Sequence, residues 1–304
     1  MGRRDHFIET RVVSGDEYLT ENVEWADAVF SVGGDGTFLM AAAKVTGQKP
    51  VIGFNSDPEG SEGHLCLTGK SFHSVSEVIS DLFKGKFSWI RRQRIRVTLL
   101  KVVNDERLSS ESDDNENGRQ INNGSFRAYN PGVPLLALND VFMGEIHAAR
   151  VSSYDVQIDN NPVIRQKSSG LTVSTGTGST AWYYTINRLS AQDVGEILSI
   201  VNSMGLMNIE VNDQQNKEIS ERFSQNLLFD PSSPEMAFAI REPVYNKTFK
   251  EIPPRGFAKR IFLKSRCSDG QLVLDGSITV PFNEGSEVLL EIFNEDALLS
   301  AIQA

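Results

Sequence analysis

One loop near the start of the chain restricts its possible folds more than any other feature. Residues 33–37 read Gly-Gly-Asp-Gly-Thr, and they follow an apolar run of β-forming residues at 28–32. An alanine-rich segment comes next, with apolar residues at helical spacing: Phe38, Ala42 and Val45. A second apolar run occupies residues 50–54. Strand, turn, helix and strand in this order predict a parallel βαβ unit, because parallel strands need a crossover connection.

The composition of this loop is typical of phosphate binding. Gly33, Gly34 and Gly36 carry no Cβ, so a ligand can approach the backbone closely. The N-terminus of the following helix adds unpaired N–H groups and a partial positive charge. Asp35 stands out, because a carboxylate among phosphates needs a task such as accepting a proton or holding Mg²⁺. The alternative is an ordinary strand-to-helix turn capped by Asp35, and the loop matches neither GxxxxGK(S/T) nor GxGxxG.

A second loop combines glycines with hydroxyl groups. An apolar run ends at Val173, residues 174–181 read Ser-Thr-Gly-Thr-Gly-Ser-Thr-Ala, and we expect a helix to follow. The apolar side of that helix would hold Trp182, Ile186 and Leu189. Hydroxyls and open backbone N–H groups suit a ribose and a diphosphate, which present oxygens without requiring a full counter-charge. The alternative is a polar connection that only caps the helix.

The pattern of residue types along the chain changes after residue 86, and this change predicts a division into domains. We predict an α/β domain at 1–86, a β-rich domain at 87–290 and a C-terminal segment at 291–304. Within the last segment, residues 295–302 are expected to form a short helix. The first domain is expected to be truncated, because the glycine-rich loop comes so early in the chain.

Short runs of β-forming residues fill the second domain. They occur at 95–99, 135–138, 154–158, 171–173, 236–240, 261–263, 271–274 and 288–290. Several of these runs alternate with polar residues, as half-buried antiparallel strands do. Residues 192–228 are expected to be helical, whereas 104–130 are too polar to bury a core and are expected to be disordered.

The bulk composition excludes several classes of protein. With 304 residues, 39% of them hydrophobic, the chain can bury a sizeable core. The net charge of −10 argues against nucleic acid or a membrane surface as the main partner. Cys66 and Cys267 are the only cysteines, which excludes a disulfide scaffold, and no His or Cys spacing predicts a metal site.

Four arginines form a basic run at the start of the β-rich domain. They are Arg91, Arg92, Arg94 and Arg96. We favour a solvent-exposed strand face for them over a phosphate clamp, because charged side chains are mostly exposed.

Three motifs together resemble the NAD kinase family. Its members carry a GGDGT loop, an Asn-Glu pair and a TxTGSTAY segment in this order, which correspond here to residues 33–37, 139–140 and 175–182. Residues 56–65 and 166–170 are similar to the mitochondrial animal branch of that family. The resemblance implies a Rossmann-like N-terminal domain, a β-rich sandwich, and phosphoryl transfer from ATP to the adenosine ribose 2′-hydroxyl of NAD.

The resemblance also implies roles for individual residues. Asp35 would be the general base, beside a phosphate-binding loop of Gly33, Gly34, Gly36 and Thr37. The NAD-binding positions would be Asn139, Asp140, Ser169, Thr175, Thr177, Thr180, Ala181, Trp182 and Thr185. Mg²⁺ is expected to arrive with ATP, since no protein side chain is assigned as its ligand. A homodimer and a mitochondrial location are implied by the resemblance alone.

Some positions depart from the family pattern. Asp140 replaces a glutamate, which shortens its reach, and Ser169 replaces an aspartate that many members place at the nicotinamide carboxamide. Trp182 replaces a tyrosine, and His64 would lie in the pocket wall. Asp275 and the glycine after it resemble a late Asp-Gly motif to which the sequence assigns no role.

Two other functions stay open at the level of sequence. Lipid kinases of the diacylglycerol or sphingosine type also combine a GGDG loop with a β-rich domain, although the hydroxyl-rich second loop argues against them. A protein that senses NAD or NADP without turnover is the second alternative. Asp35 favours catalysis, whereas Asp140 and Ser169 leave the sensor open.

Overall fold

The computed structural model describes residues 8–69, 75–103, 135–209, 211–247, 249 and 251–303. The disordered insertion predicted at 104–130 lies outside these residues. Within the described ranges, no helix is both long enough and apolar enough to cross a lipid bilayer.

A four-stranded sheet carries the N-terminal part of the chain. Its strands lie in the order β1 (Val29–Val32), β2 (Val51–Phe54), β16 (Leu298–Gln303) and β3 (Phe87–Arg92). The helices beside it are α1 (Thr20–Trp25), α2 (Asp35–Ala42) and α3 (Val75–Phe83). β1 and β2 pair in parallel with α2 between them in the chain, which confirms the predicted βαβ unit. Phe38 of α2 packs on one face of the sheet, and Val78 of α3 packs on the other.

Residues 295–302 do not form the helix that their sequence predicts. A 3₁₀ turn (Asn294–Asp296) leads into β16, which pairs in parallel with β2 and antiparallel with β3. Pairing on both sides satisfies backbone N–H and C=O groups and buries Leu298 and Ser300, which outweighs local helix propensity. Because β3 also belongs to this sheet, the first sheet extends across the boundary predicted at residue 87.

Two six-stranded antiparallel sheets form the β-rich part, as the sequence predicts. One has the order β11-β10-β9-β6-β13-β14 and the other β5-β4-β15-β12-β7-β8. Their bounds are β4 Ile95–Lys101, β5 Leu135–Ala137, β6 Asp140–Glu145, β7 Ser152–Ile158, β8 Ile164–Ser168, β9 Gly170–Ser174, β10 Met236–Arg241, β11 Arg255–Ala258, β12 Arg260–Ser265, β13 Gly270–Leu274, β14 Ile278–Pro281 and β15 Glu287–Ile292. Val141 and Leu171, from the sheet that contains β6 and β9, share one buried cluster with Ile261 and Leu290, from the sheet that contains β12 and β15. The two sheets therefore pack face to face as a sandwich.

Further helices lie beside the sandwich. They are α4 (Trp182–Asn187), α5 (Ala191–Ser203) and α6 (Asp213–Gln225), and the last two confirm the helical character predicted for 192–228. In α4 the buried residue is Tyr183, whereas Trp182 is 37% exposed. The apolar stripe predicted from Trp182 is therefore wrong, because the helix is only six residues long and ends before Leu189.

Buried arginines lie where the first sheet meets the sandwich. Arg94 is 2% exposed, and it donates from Nη1 to the Val45 carbonyl (2.7 Å) and from Nε to the Asp296 carbonyl. Arg92 is 6% exposed and lies opposite Leu298 of β16. The solvent-exposed strand face predicted for these two arginines is wrong, because the chain passes through this junction as it leaves β3 and enters β4.

Leu138 brings the two predicted loops together. Its side chain is buried in the same apolar cluster as Phe38 of α2 and Leu65. Phe38 follows the GGDGT loop directly, and Asn139 follows Leu138. The packing of these apolar side chains therefore places the first glycine-rich loop beside the start of β6.

Candidate functional site

The GGDGT loop combines a tight turn with an open helix N-terminus. Gly33 has a φ of 155°, and a Cβ atom there would lie 2.3 Å from the Thr37 Oγ1 atom, so only glycine fits. Gly34 is the N-cap of α2, and no side chain caps the helix. A Cβ atom on Gly36 would meet no other atom within 4 Å. The exposed N–H groups at this end of α2 can therefore be approached by an anion such as a phosphate.

The Asp35 carboxylate faces away from its own helix. Its Oδ1 atom accepts a hydrogen bond from the Leu65 backbone N–H (2.8 Å), and Oδ2 accepts one from the His64 backbone N–H (3.1 Å). Asp35 therefore fastens the segment after β2 to the GGDGT loop, and it does not act as a simple helix cap. Each carboxylate oxygen keeps a further lone pair, so Asp35 can still accept a proton.

Asn55 shapes the segment that Asp35 fastens. Its backbone N–H donates to the buried Thr68 Oγ1 (2.8 Å), and its side-chain amide donates to the carbonyls of Ser61 (3.1 Å) and Gly69 (2.9 Å). These bonds close the segment into a loop that contacts Asp35 through residues 64 and 65. His64 takes part through its backbone, while its imidazole lies 3.8 Å from the exposed Glu62 carboxylate. The sequence pointed to His64 but gave no sign of this backbone role.

The second glycine-rich loop packs directly on Asn139. The Thr175 N–H donates to the Asn139 carbonyl (2.9 Å), and the Thr175 hydroxyl donates to the Leu138 carbonyl (2.5 Å). The same hydroxyl accepts the Gly178 N–H (3.1 Å). A Cβ atom on Gly178 would lie 2.1 Å from the Asn139 carbonyl oxygen, so the close approach requires glycine. Thr175 is thus fully engaged with the protein's own backbone.

Two buried polar atoms at this junction have no partner among the described residues. They are the Asn139 Oδ1 atom and the Thr177 Oγ1 atom. Leaving a buried polar group without a hydrogen bond costs about 1–3 kcal/mol, so each of these atoms requires a partner that the described residues do not supply. By contrast, the hydroxyl of Thr185 bonds to the Ala181 carbonyl (3.2 Å), and that of Thr180 makes a longer bond to the Thr177 carbonyl (3.4 Å).

Asp140 and Asp275 form a pair of buried carboxylates at the same place. Burial, and then the neighbouring charge of Asp275, raise the pKa of Asp140 to about 7. Burial also raises the pKa of Asp275, against three backbone hydrogen bonds and the charge of Arg94, which lower it. The two carboxyls are therefore close enough for the charge of Asp275 to act on the protonation of Asp140.

The predicted NAD-binding residues do not all lie close to one another. Ser169 precedes β9 and Thr175 follows it, so the length of the strand, about 17 Å for five residues, separates them. The Ser169 hydroxyl donates to the Glu242 carboxylate. The rings of Phe142 on β6 and Trp182 on α4 lie 4.8 Å apart, with their centroids within contact distance and their planes tilted. No motif in the sequence indicated that Phe142 of β6 or Glu242, which follows β10, would lie beside these positions.

Among the described residues, no group of three or more His, Cys, Asp or Glu side chains could hold a metal ion.

Comparison with known proteins identifies the family. Residues 9–87 match the family model described as the ATP-NAD kinase N-terminal domain. The chain is 39% identical over 310 residues to the Rattus norvegicus protein named NAD kinase 2, mitochondrial, which covers 98% of this chain and 73% of the rat protein. The Homo sapiens protein of the same name is also 39% identical, over 314 residues that cover 98% of this chain and 70% of the human protein.

Solved structures agree on the fold. A yeast NADH kinase complexed with NADH superimposes with a TM-score of 0.59 at 16% identity, over 94% of this chain and 65% of that chain. An NAD kinase from Archaeoglobus fulgidus in complex with ATP gives a TM-score of 0.55 at 17% identity, over 92% of this chain and 79% of that chain. Shared fold, together with 39% identity over nearly the whole chain to the rat and human proteins, leads to one conclusion: the chain belongs to the NAD kinase family.

Proposed function

We propose that this protein phosphorylates NAD at the adenosine ribose 2′-hydroxyl with ATP, giving NADP and ADP. One observation carries the proposal most strongly. Leu138 packs with Phe38 and Leu65, so the GGDGT loop lies beside Asn139. At this junction the Asn139 Oδ1 and Thr177 Oγ1 atoms have no hydrogen-bond partner among the described residues. A phosphate donor and a polar, hydroxyl-bearing acceptor would therefore meet at Asp35. Membership of the NAD kinase family speaks against the lipid kinase alternative.

Asp35 would act as the general base. The ribose 2′-oxygen attacks the γ-phosphorus, the bond from that phosphorus to the β–γ bridging oxygen breaks, and ADP leaves with the electron pair. The proton of the 2′-hydroxyl goes to the Asp35 carboxylate late in the transfer. Gly34 and Gly36 would hold the phosphates through backbone N–H groups at the start of α2. Gly33 and Thr37 would shape the same loop, because their N–H groups donate to the carbonyls of Phe54 and Gly34. Mg²⁺, when bound with ATP, would offset negative charge on the phosphate oxygens.

The dinucleotide would lie along β9, from the Asn139 junction towards Ser169. Asn139 and Thr177 would bind adenosine oxygens or nitrogens with the atoms that the protein leaves free. Asp140, Thr180, Ala181 and Thr185 would complete that end of the pocket. The Trp182 ring would support a flat group, and Ser169 with Glu242 would meet the far end. Thr175 would position Asn139 without touching the ligand, because its hydroxyl is already bonded at both sides.

Location and assembly follow from likeness to relatives. The rat and human relatives are named mitochondrial, and on that basis we assign this protein to mitochondria. A homodimer is proposed from the family resemblance. Light scattering of the purified protein would show a mass of about twice the 33.7 kDa chain if the dimer forms, and a mass near 33.7 kDa would contradict it.

The activity can be tested directly. Incubation with ATP, Mg²⁺ and NAD, followed by an NADP-specific dehydrogenase, should show NADP forming in proportion to ADP. NADP offered in place of NAD is the control, because its 2′-hydroxyl is already phosphorylated and no ADP should appear. Dinucleotide binding without NADP formation would identify a sensor and contradict the proposed reaction.

Replacement of Gly36 by alanine tests the phosphate loop without disturbing the fold. The new Cβ meets no protein atom within 4 Å, and alanine is favoured over glycine in a helix by about 1 kcal/mol. We therefore expect unchanged or slightly higher stability in urea, together with a KM for ATP raised about tenfold as phosphate contacts weaken. An unchanged KM for ATP would place the phosphates elsewhere.

A further inference from the structure

Asp275 lies in the β13–β14 hairpin turn, beside the start of β6 in the same sheet. Its φ of 49° is in the left-handed region, followed by Gly276 at 67°. This turn aims the Asp275 carboxylate at the backbone that carries Asn139. We infer that Asp275 is a positioning residue, which holds the backbone of residues 138–140 in the shape that the dinucleotide requires; this rests on the proposed function.

Three consecutive backbone N–H groups donate to this one carboxylate. Leu138 N–H donates to Oδ2 at 2.8 Å, while Asn139 N–H and Asp140 N–H donate to Oδ1 at 2.7 Å and 3.1 Å. The Asp275 N–H in turn donates to the Asp140 carbonyl at 3.0 Å. Two of the donors precede β6, so a sheet partner does not satisfy them. The carboxylate therefore accepts the hydrogen bonds that the carbonyls of a neighbouring strand would otherwise accept from this backbone.

The other side of the same backbone is held as well. The Asn139 carbonyl accepts the Thr175 N–H at 2.9 Å, and Gly178 packs against that carbonyl. With its N–H bonded to Asp275 and its carbonyl bonded to Thr175, the Asn139 main chain has no freedom to turn. Its side chain remains for the ligand, because the Oδ1 atom has no hydrogen-bond partner within the part of the chain that the structure describes. The direction in which Asn139 presents this atom therefore depends on Asp275.

A carboxylate suits this task better than an amide. All three neighbours are donors, and an ionised carboxylate has only acceptor positions, whereas an asparagine would turn an NH₂ group towards one of them. The left-handed φ is tolerated by Asp and Asn alike, so an Asp-to-Asn change alters the acceptor without straining the turn. The buried charge of Asp275 is opposed by the guanidinium of Arg94, which lies between β3 and β4.

Charged groups around Asp140 come from more than one element. Asp275 faces it from the β13–β14 turn, Arg94 of the β3–β4 connection lies near Asp275, and Asp296 lies beside Arg94. Neutralising Asp275 removes a like charge, which favours the ionised form of Asp140 and lowers its pKa below the present value of about 7. A pH profile can therefore report on Asp275 through Asp140.

Asp275→Asn is the direct test, with Asp159→Asn as its matched control. Asp159 also has a left-handed φ of 51°, and its carboxylate accepts the backbone N–H groups of Lys259 (2.8 Å) and Arg260 (2.9 Å) at an exposed turn. We expect Asp275→Asn to weaken NAD binding about 10- to 100-fold in calorimetry, because small misplacement at a site has effects of this size. The KM for ATP should change little. Asp159→Asn should leave NAD binding unaltered.

The pH profile separates positioning from a general loss of stability. In wild type, the midpoint of any pH dependence of NAD affinity is expected near 7, and it should move to lower pH in Asp275→Asn. Asp275→Glu keeps the charge but moves the oxygens by one methylene, so affinity should fall while the midpoint stays in place. If Asp275→Asn does not fold, Asp275→Glu decides the matter through affinity alone. Wild-type affinity in either folded variant overturns the inference, whereas absence of NADP formation by wild type contradicts the proposed function instead.

Discussion

Replacement of Asp35 by asparagine should lower kcat by about 10²- to 10⁴-fold, the range associated with loss of a general base. NAD and ATP binding should fall far less, because the side chain keeps its size and its place at the start of α2. Coupled measurement of kcat by the dehydrogenase readout and of NAD affinity by calorimetry checks both parts. Affinity that falls in step with the rate would make Asp35 a binding group and would remove its role as the base.

A second effect of the same replacement needs a control. The Asp35 carboxylate also accepts the N–H groups of His64 and Leu65, and an asparagine can accept only one of them without opposing the other. Thr68→Val loosens the same loop from elsewhere, since it removes the acceptor of the Asn55 N–H and leaves Asp35 intact. We expect Thr68→Val to lower kcat by less than about tenfold, given a loss of roughly 1 kcal/mol for one hydrogen bond. A comparable loss in both variants would assign the Asp35 effect to the loop.

Features that depend on neighbouring residues were predictable from the sequence. The βαβ unit around residues 33–37 and the eight predicted β-runs depend on periodicity and on glycine at a turn, and both are properties of short windows. The segment at 295–302 behaves differently. Read locally, it is compatible with a helix, yet it becomes β16 because β2 and β3 supply pairing partners from more than 200 positions earlier in the chain. A window of sequence contains no trace of such partners.

Charged residues show the same limit. Arg92 and Arg94 occur in a run that would suit a solvated strand, and both are buried because the first sheet and the sandwich close over them. Arg94 then donates to carbonyls of Val45 and Asp296, which come from opposite ends of the chain. Only the three-dimensional arrangement of the two parts decides whether a charged side chain meets solvent or a buried carbonyl.

In the candidate site, too, features set by neighbouring residues could be predicted and contacts between distant residues could not. Both glycine-rich loops could be found from the sequence, since glycines and hydroxyls at strand-to-helix junctions have a direct physical meaning. The contacts of Asp35 with residues 64–65 and of Asp275 with residues 138–140 could not, because each joins separate loops through space. Asp275 was visible only as part of an Asp-Gly pair, which on its own predicts no more than a turn.

Gly178→Ala should have a large effect, because the methyl group that it adds to the second loop would overlap with the backbone of Asn139. The new Cβ would lie 2.1 Å from the Asn139 carbonyl oxygen, 2.6 Å from its carbon and 2.7 Å from the Ser174 hydroxyl oxygen. Two of these atoms belong to a backbone that Asp275 and Thr175 hold from both sides, so the overlap cannot be relieved by a side-chain rotation. We expect a loss of about 1–3 kcal/mol in the free energy of unfolding, measured in urea.

The same methyl group should also act on the ligand. Since Asn139 must move to accommodate it, the buried Oδ1 atom is displaced, and NAD affinity should fall about 100-fold. Gly36→Ala is the matched control, because the identical chemical change there meets no protein atom within 4 Å. A stable Gly178→Ala variant with wild-type NAD affinity would contradict the placement of Asn139 in the pocket. The contrast between the two variants separates a glycine needed by the protein's own backbone from one whose empty space is left for a phosphate.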